Sequence, residues 1–325
     1  MKIVTLAVNP AIDRTMYFKN IEFGGLNRAA ANTVTSFGGK GITNAFMFKK
    51  LGIDVLCLGF WGGNNGNLLL DEFKKQKIDF NSDLTGCETR MNIKIISKNN
   101  EPTEFNESGG PVLPEERELL LQRIKSTLEN KTEYFFMGGS VPGGIKKSFY
   151  RDILNLESRA KFILDCDGEA LKLCMDEKNN KKPYMIKPNQ FEFEQLCGKK
   201  FDLENNFESE LMRLKNELKK TYEKTGVIIL CTLGASGGLY CGNEGIFYEA
   251  APKIELKGFA GAGDTFLTAF CAVYFGLFKL PENKSGAEHA LKFAVAASAA
   301  KITKLGTELA EVSEIFDLAH EHKIL

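Results

Sequence analysis

A short glycine turn in the C-terminal third of the chain carries the residues best suited to chemistry. Gly261, Ala262 and Gly263 stand directly before Asp264, and an apolar stretch that predicts a helix over 266–278 follows. Small residues at a helix start let consecutive backbone N–H groups point the same way, and such a nest binds anions with help from the helix dipole. A phosphoryl group in transfer is such an anion. The turn therefore predicts a phosphoryl-binding nest, with Asp264 as the general base for an attacking hydroxyl.

The same turn also has a purely structural interpretation, in which Asp264 caps the helix and the glycines make a tight turn. Two nucleotide-binding templates fail. The turn lacks the third glycine of GxGxxG and does not follow the first strand, which argues against a Rossmann dinucleotide site. The sequence contains no GK[ST], so a Walker A loop is excluded.

Four further stretches place glycines or polar side chains at the ends of predicted strands. Each alone is a weak signal, because glycine turns between strands and helices often serve geometry only. In open α/β sheets, however, ligands bind outside the carboxyl ends of the strands. We therefore expect the stretches to meet at one site. They are residues 9–13 together with 38–41, residues 138–144, residues 186–192 and residues 232–238.

The elements that must position these residues alternate along the chain. Strands are predicted at 3–8, 55–60, 134–137, 162–164, 184–186 and 227–231, and helices at 41–51, 67–77, 114–128, 146–156 and 204–222. Such alternation indicates βαβ units, a mostly parallel sheet and helices on both of its faces. Residues 11–37 and 88–108 break the alternation with strand-like stretches around a turn at Asn99 and Asn100. They predict a small antiparallel flap across the edge of the main sheet, which we call the lid.

Composition excludes several classes of protein. The 325 residues carry 42 basic and 42 acidic side chains, so there is no basic excess for a nucleic-acid backbone or an anionic membrane. Eight cysteines without a CxxC pair and three histidines argue against a zinc site and a disulfide framework. The N-terminal MKIVTLAVNP predicts a strand rather than a signal peptide, and the apolar helix candidate at 290–300 is too short to span a bilayer. We expect a soluble protein of a reducing cytoplasm.

In combination and order, the motifs resemble the ribokinase-like (PfkB) sugar kinases over essentially the whole chain. They are Asn-Pro-Ala-x-Asp at 9–13, Thr-Arg-Met-Asn-Ile-Lys at 89–94, Gly-Ser-x-Pro-x-Gly at 139–144, Lys-Pro-Asn-x-x-Glu at 187–192 and Gly-Ala-Gly-Asp at 261–264. Within the family the set is most similar to the 1-phosphofructokinases and tagatose-6-phosphate kinases. The resemblance implies a three-layer α/β/α sandwich with a mostly parallel central sheet and a small β-strand lid. It also implies one kinase domain over 1–325, with ATP and Mg²⁺ as cofactors.

The resemblance further implies which residues bind the sugar phosphate. Asp13 would hold sugar hydroxyls, since a carboxylate accepts from two neighbouring OH groups. Arg90 is the candidate for the existing phosphate, although a surface ion pair is the alternative. Asn92 and Lys94 share its strand face by the two-residue period and would converge on the same phosphate. The expected substrate residues are Asp13, Gly38, Gly39, Lys40, Thr43, Arg90, Asn92, Lys94 and Ser140, with Arg28 a weaker candidate.

Thr43 stands where the family usually has an asparagine that binds a sugar hydroxyl. Asn44 follows it, but neighbouring side chains on a helix point about 100° apart, so Asn44 is not expected to substitute. Thr43 still offers a hydroxyl, with a shorter reach. This departure leaves the identity of the sugar open, but not the phosphoryl transfer.

On the nucleotide side, the resemblance places one segment near the ATP phosphates and another around the ATP pocket. Glu192 would act on Mg²⁺ through a bound water, because magnesium keeps several waters in protein sites. Its structural alternative is a first-turn helix carboxylate favoured by the helix dipole. The expected ATP-site residues are Lys187, Asn189, Glu192, Thr232, Gly234 and Gly237.

The predicted reaction is transfer of the γ-phosphoryl group of ATP to the C6 hydroxyl of fructose 1-phosphate, by a homodimer formed through the lid. Tagatose 6-phosphate is the nearest alternative substrate, and the sequence does not separate the two. A non-catalytic sugar-phosphate sensor on the same fold is an alternative of a different class, although a sensor has no need of Asp264. A nicotinamide oxidoreductase is disfavoured by the failed dinucleotide fingerprint.

Overall fold

The computed structural model describes residues 2–30, 33–97, 100–258 and 260–325. The strands are β1 Ile3–Ala7, β2 Ala11–Phe18, β3 Val34–Gly38, β4 Leu56–Gly59, β5 Trp61–Gly62, β6 Asp79–Phe80, β7 Leu84–Thr85, β8 Arg90–Ser97, β9 Asn100–Asn106, β10 Tyr134–Gly138, β11 Lys161–Asp165, β12 Met185–Ile186, β13 Ile228–Thr232, β14 Gly238–Gly242 and β15 Gly245–Glu249. The helices are α1 Lys40–Lys50, α2 Gly63–Gln76, α3 Pro114–Glu129, α4 Phe149–Leu154, α5 Gly168–Met175, α6 Gln190–Cys197, α7 Phe207–Thr225, α8 Ala262–Tyr274, α9 Gly286–Ile302 and α10 Val312–Glu321.

The large sheet confirms the predicted mostly parallel arrangement. Within the described ranges its nine strands run in the order β15-β14-β13-β12-β11-β10-β1-β4-β6. Neighbours from β6 to β13 pair in parallel, and β14 and β15 are added antiparallel at one edge. Ala7 pairs with Gly138, and Gly138 pairs with Asp165. The carboxyl ends of the central strands therefore meet at one edge, where the predicted motifs begin.

Helices cover both faces of this sheet because its central strands are apolar on both sides. On β1, Ile3 and Ala7 join a buried cluster with residues of α1, α8, α9 and α10, whereas Val4 and Leu6 join one with residues of α3 to α7. Successive strand residues point to opposite faces, so each strand contributes to both layers. The three-layer α/β/α sandwich is confirmed. No helix in the described part of the chain is long and apolar enough to cross a membrane.

The lid is a separate four-stranded sheet with the order β3-β2-β8-β9. The prediction of an antiparallel flap is only partly correct. The outer pairs are antiparallel, but the central strands β2 and β8 are parallel, with Asp13 opposite Asn92. Parallel neighbours need a long crossover connection, so a turn signal in the sequence does not show their pairing. The predicted turn includes Asn99, which lies outside the described residues.

The glycine turn at residues 261–263, which we call the catalytic turn after its predicted role, differs from its prediction in where the helix begins. The apolar pattern placed the helix start at residue 266, whereas α8 begins at Ala262 with Gly261 as its N-cap. The first turn of α8 contains small and polar residues, which an apolar pattern does not detect. Asp264 thus lies inside the first helical turn and is not the cap. The short helices α5 and α6 and the terminal α10 were not predicted.

Candidate active site

The glycine turn forms the N-terminus of α8. Gly261 has φ of 80°, in the left-handed region where glycine is favoured. The first N–H groups of a helix lack partners within the helix, so those after Gly261 are free to bind an anion. Burial raises the pKa of the Asp264 carboxyl, and the negative Asp165 raises it further. Asp264 is therefore a carboxylate with increased basicity beside a set of free amides.

Asp165 is a functional candidate that the sequence reasoning missed. It ends β11, and the residue is 2% exposed. Its Oδ1 accepts a hydrogen bond from Lys40 Nζ, and its Oδ2 lies 3.2 Å from Lys187 Nζ. Oδ2 has this ion-pair contact but no well-oriented hydrogen bond among the described residues. Burial alone would raise its pKa, but Lys187 and Lys40 hold the pKa below the ordinary value. The sequence signal that could have identified Asp165 is its position as the last residue of an apolar strand, at the sheet edge where ligands bind.

Lys40 and Lys187 connect this buried carboxylate to the catalytic turn. Burial opposes the charge of Lys40, but Asp165 and Asp264 outweigh it and raise its pKa. Lys187 is 5% exposed, and a Cβ built on Gly263 would lie 3.3 Å from its Nζ. Both lysines also lower the pKa of Asp264. Asp165, Lys40, Lys187 and Asp264 form one group of alternating charges, which we call the catalytic cluster. The expected contact of Lys40 with a substrate phosphate stays a prediction.

A second polar group lies on the lid and includes Asp13, Arg90, Asn92 and Lys94, which we call the lid cluster. Asp13 is 4% exposed, and its Oδ1 accepts a hydrogen bond from Asn92 Nδ2 at 2.7 Å. Lys94 Nζ lies 3.8 Å from Asp13 Oδ2, and Arg90 Nη1 donates to Asn92 Oδ1 at 3.0 Å. Burial raises the pKa of Asp13 against the opposing effects of Lys94, Asn92 and Arg90. The three side chains do share a face, and the group on which they converge is the Asp13 carboxylate.

Gly38 and Gly39 join the lid to α1. A Cβ on Gly38 would lie 2.5 Å from Asp13 Oδ2, so the glycine leaves room for that carboxylate. Gly39 has φ of 104° and is the N-cap of α1. Their expected approach to a sugar stays a prediction.

Thr43 faces the catalytic turn, as its position on α1 requires. Its methyl carbon would lie 3.2 Å from a Cβ on Gly261, and its hydroxyl lowers the pKa of Asp264. The side chain of Asn44 instead turns to α8, where its Oδ1 accepts from the Thr268 hydroxyl at 3.0 Å. Asn44 therefore does not take the place of Thr43, as the helical geometry indicated.

Two other predicted residues lie at the periphery. Ser140 is exposed, and its hydroxyl accepts a hydrogen bond from Asn9 Nδ2 at 3.0 Å. The carbonyl of Asn9 is approached by Arg90 Nε and Nη2, each at 3.4 Å. Ser140 is thus connected to the lid cluster through Asn9. Arg28 lies on an exposed stretch of the lid.

An open cavity of about 520 Å³ adjoins the catalytic turn. Apolar residues such as Val295 and Ala299 line part of it, which suits a flat aromatic ligand. Its polar and glycine lining brings together most of the residues that were expected to bind ATP. They are Asn189, Thr232, Gly234 and Gly237, and Ala262 and Gly263 of the glycine turn lie beside them. Lys187 and Glu192, which were also expected to bind ATP, are not among the lining residues.

Glu192 has a clear structural role in the capping box of α6. Asn189 Oδ1 accepts from the Glu192 N–H at 2.8 Å, and Glu192 Oε2 accepts from the Asn189 N–H at 2.7 Å. Glu192 also lies close enough to Lys40 to contribute to its raised pKa. A helix cap and a role at the nucleotide phosphates are thus compatible.

Known proteins with similar sequences and structures identify the family of this chain. The family described as pfkB family carbohydrate kinase matches residues 6–313. A 1-phosphofructokinase of Borreliella burgdorferi is 30% identical over 315 residues, covering 96% of this chain and 95% of that protein. A 1-phosphofructokinase of Vibrio cholerae is 27% identical over 328 residues, covering 99% of this chain and 96% of that protein. The structure of phosphofructokinase-2 of Escherichia coli in complex with substrates and products has a TM-score of 0.85 at 21% identity. The match covers 99% of this chain and 100% of that chain. The family match extends from β1 into α10 and includes both clusters, so this chain belongs to the pfkB family of carbohydrate kinases.

Proposed function

We propose that this sugar kinase transfers the γ-phosphoryl group of ATP to the C6 hydroxyl of fructose 1-phosphate. The observation that carries the proposal is the position of Asp264, a carboxylate of raised pKa at the N-terminus of α8. Its neighbours Ala262 and Gly263 line the open cavity, and Lys40 connects it to the start of α1 beside Gly38, which packs on Asp13. The two relatives named 1-phosphofructokinase support fructose 1-phosphate as the acceptor.

In this mechanism ionised Asp264 accepts the proton of the C6 hydroxyl while that oxygen attacks the γ-phosphorus. The bond from phosphorus to the β–γ bridging oxygen breaks, and ADP leaves with its electron pair. Free amides after Gly261 and the ammonium of Lys187 stabilise the charge on the phosphoryl oxygens. A raised pKa makes the ionised Asp264 carboxylate a better proton acceptor.

Magnesium fits the carboxylates around the nucleotide phosphates. Among the described residues no group of three or more His, Cys, Asp or Glu side chains could hold a metal ion. This suits Mg²⁺, which one or two carboxylates hold together with waters and substrate phosphates. Glu192, through water, and the buried Oδ2 of Asp165 are the oxygens we assign to it. When bound, the ion neutralises the phosphates and polarises the group in transfer.

The lid cluster supplies the sugar-phosphate site in this proposal. Asp13 accepts from sugar hydroxyls, and the Arg90 guanidinium has donors left for two phosphate oxygens. Lys94 adds a second positive charge on the same face. Closure of the lid over the sugar excludes water, which would otherwise hydrolyse ATP.

We also propose that two copies of the chain associate through their lids. Phe23 and Leu26, in the segment after β2, are 93% and 77% exposed, and Phe105 on β9 is 55% exposed. Exposed apolar side chains on the lid sheet and on the segment between two of its strands favour a protein contact. Light scattering should show a particle of twice 36.1 kDa at micromolar concentration, and Phe23→Asp with Leu26→Asp should halve it. A 36.1 kDa particle for the unaltered chain would contradict the dimer.

The function is tested by coupled ADP release with fructose 1-phosphate, tagatose 6-phosphate, fructose 6-phosphate and fructose at equal concentration. We expect the highest kcat/KM on fructose 1-phosphate, with loss in Asp264→Asn but not in Asp317→Asn, an exposed control on α10. A preference for tagatose 6-phosphate would reassign the substrate. Turnover of free fructose alone would contradict the phosphate role of Arg90. Tight binding of a sugar phosphate without any turnover would favour a non-catalytic sensor over an enzyme.

A further inference from the structure

The helix α9 ends with a lysine that is fully buried. Lys301 has an exposure of 0%, although lysine is almost never fully buried without a partner of opposite charge. Its Nζ donates a hydrogen bond to the carbonyl of Gly306 at 2.9 Å. Within the described part of the chain, no carboxylate forms an ion pair with it. The mechanism above does not use this cation, so its place in the fold requires an explanation.

Lys301 lies directly beneath the catalytic turn. A Cβ on Gly261 would be 3.7 Å from Lys301 Cε, which is van der Waals contact. The chain entering the turn is attached to the same helix end, because the N–H groups of Lys257 and Gly258 donate to the Ile302 carbonyl at 2.8 and 3.1 Å. The end of α9 therefore sets the position of the turn from below.

The loop that accepts the Lys301 hydrogen bond also contacts the lid. A Cβ on Gly306 would lie 3.5 Å from Ser36 Oγ and 3.6 Å from Thr15 Oγ1, both on lid strands. Burial lowers the pKa of Lys301 to about 8, with Lys94 of the lid lowering it further and Glu308 opposing. Lys301 thus lies where the catalytic turn, the lid and the loop after α9 meet.

We propose that Lys301 is a positioning residue for phosphoryl transfer, whose buried ammonium holds the Gly306 loop against the catalytic turn and places a fixed positive charge beneath its anion-binding amides. A fixed charge in a site with little water interacts strongly with the charge that develops on a phosphoryl group during transfer. The fixed charge does not have to reorient during the reaction. The inference rests on the proposed function in assigning the transferred phosphoryl group to this turn. A purely structural alternative is that the lysine stabilises the C-terminus of α9 through the helix dipole.

The first test compares Lys301→Met with Lys304→Met. Methionine preserves most of the volume of lysine and removes the charge. Lys304 lies three residues further on, and its ammonium instead pairs with Glu314 on α10. We expect Lys301→Met to lower kcat by about 10–100-fold, with the KM for ATP changed by less than about 3-fold, because the lost interaction forms mainly in the transition state. Lys304→Met should keep the kcat of the unaltered enzyme.

A pH profile separates a charge effect from a packing effect. The charged groups facing Lys301 are Lys94 from the lid and Glu308 from the following loop. Asp264 must lose its proton to act, so it produces the acid limb, whereas Lys301 must keep its proton. We expect kcat to fall as the pH rises through a value at or above about 8, with no such limb in Lys301→Met. Lys301→Arg, which keeps the charge, should move the limb to higher pH.

Chemical rescue keeps the proposal testable if the methionine variant is unstable. Lys301→Ala leaves a space that a small cation fills, so ammonium chloride should restore part of kcat, and tetramethylammonium chloride at equal ionic strength should not. All variants are assayed on whichever acceptor the unaltered enzyme turns over, so an error in the proposed sugar does not affect the outcome. A folded Lys301→Met enzyme with unchanged kcat and an unchanged alkaline limb would overturn the inference. Equal rescue by both salts would do the same.

Discussion

The catalytic cluster and the lid cluster each hold a buried carboxylate of raised pKa, but a neighbouring carboxylate is a leading cause of the shift for Asp264 and the smallest cause for Asp13. Burial and the like charge of Asp165 raise the pKa of Asp264, and Lys40 and Lys187 oppose them. Burial raises the pKa of Asp13, with a small further contribution from Glu104, and Lys94, Asn92 and Arg90 oppose it. Asp13 is engaged in a hydrogen bond at 2.7 Å with Asn92. The two sites thus place the same kind of side chain in different electrostatic environments.

A carboxylate beside another carboxylate holds a proton more readily, which suits a base. Donors around a carboxylate oppose the effect of burial on its pKa and hold its oxygens in place, which suits the binding of hydroxyl groups. The secondary-structure elements that carry the two aspartates also differ. Asp264 lies at the start of a helix packed in the core, whereas Asp13 lies on a lid strand. The comparison supports the proposal that Asp264 acts in the chemical step and Asp13 in recognition.

The largest expected effect on the kinetics comes from the same substitution, Asp→Asn, made in each cluster separately. Asp264→Asn removes the proton acceptor and should lower kcat by about 10²–10⁴-fold with little change in KM. Asp13→Asn should act mainly through a raised KM for the sugar phosphate, because hydroxyl binding is lost. Steady-state kinetics with both substrates varied measure the difference. Equal losses of kcat in the two variants would remove the division of roles.

Arg90 tests whether the lid cluster recognises a phosphate. Arg90→Ala should raise the KM for the sugar phosphate by about 10–100-fold, the range expected for a lost charge-assisted hydrogen bond. The KM for free fructose, where turnover is measurable, should not change. Arg14→Ala is the matched control, since Arg14 is exposed on the adjacent strand β2. A proportional loss on both sugars would make Arg90 a structural residue only.

Glu192 tests whether its role at the catalytic cluster extends beyond the cap of α6. Glutamine is also accepted in a capping box, so Glu192→Gln should leave the melting temperature almost unchanged. The apparent affinity for Mg²⁺ should fall by about 10-fold, because the oxygen that orients a metal-bound water loses its charge. Glu314→Gln, at the same position in α10, is the control. An unchanged Mg²⁺ dependence would leave Glu192 with the structural role alone.

The smallest effect is a shift in the acid limb of the pH profile. A base acts only when ionised, so kcat falls as the pH decreases through the pKa of Asp264. Because that pKa is raised, the midpoint should lie above 3.8, the value of an unperturbed aspartate. Asp13→Asn should keep this limb in kcat, and the residual activity of Asp264→Asn should lack it. A limb that persists in Asp264→Asn would assign it to another group.

Part of the site followed from the sequence because it depends on local geometry. The turn before Asp264 needs residues without bulky side chains, and the two-residue strand period places Arg90, Asn92 and Lys94 on one face. The alternation of strands and helices likewise predicted the parallel sheet and its layers. Local patterns were less reliable at element ends, as the early start of α8 shows.

What the tertiary structure alone decided are contacts between distant parts of the chain. Lys40 and Asp165 are 125 residues apart, and they meet because β1, β10 and β11 pair in register at the centre of the sheet. The parallel pairing of β2 with β8 places Asn92 beside Asp13 across 79 residues. Lys301 gives no signal in sequence, where a lysine near a helix end is normally solvated. The sequence therefore predicted most of the side chains assigned to the site, and the tertiary structure decided their burial and partners, because burial and pairing depend on which segments pack together.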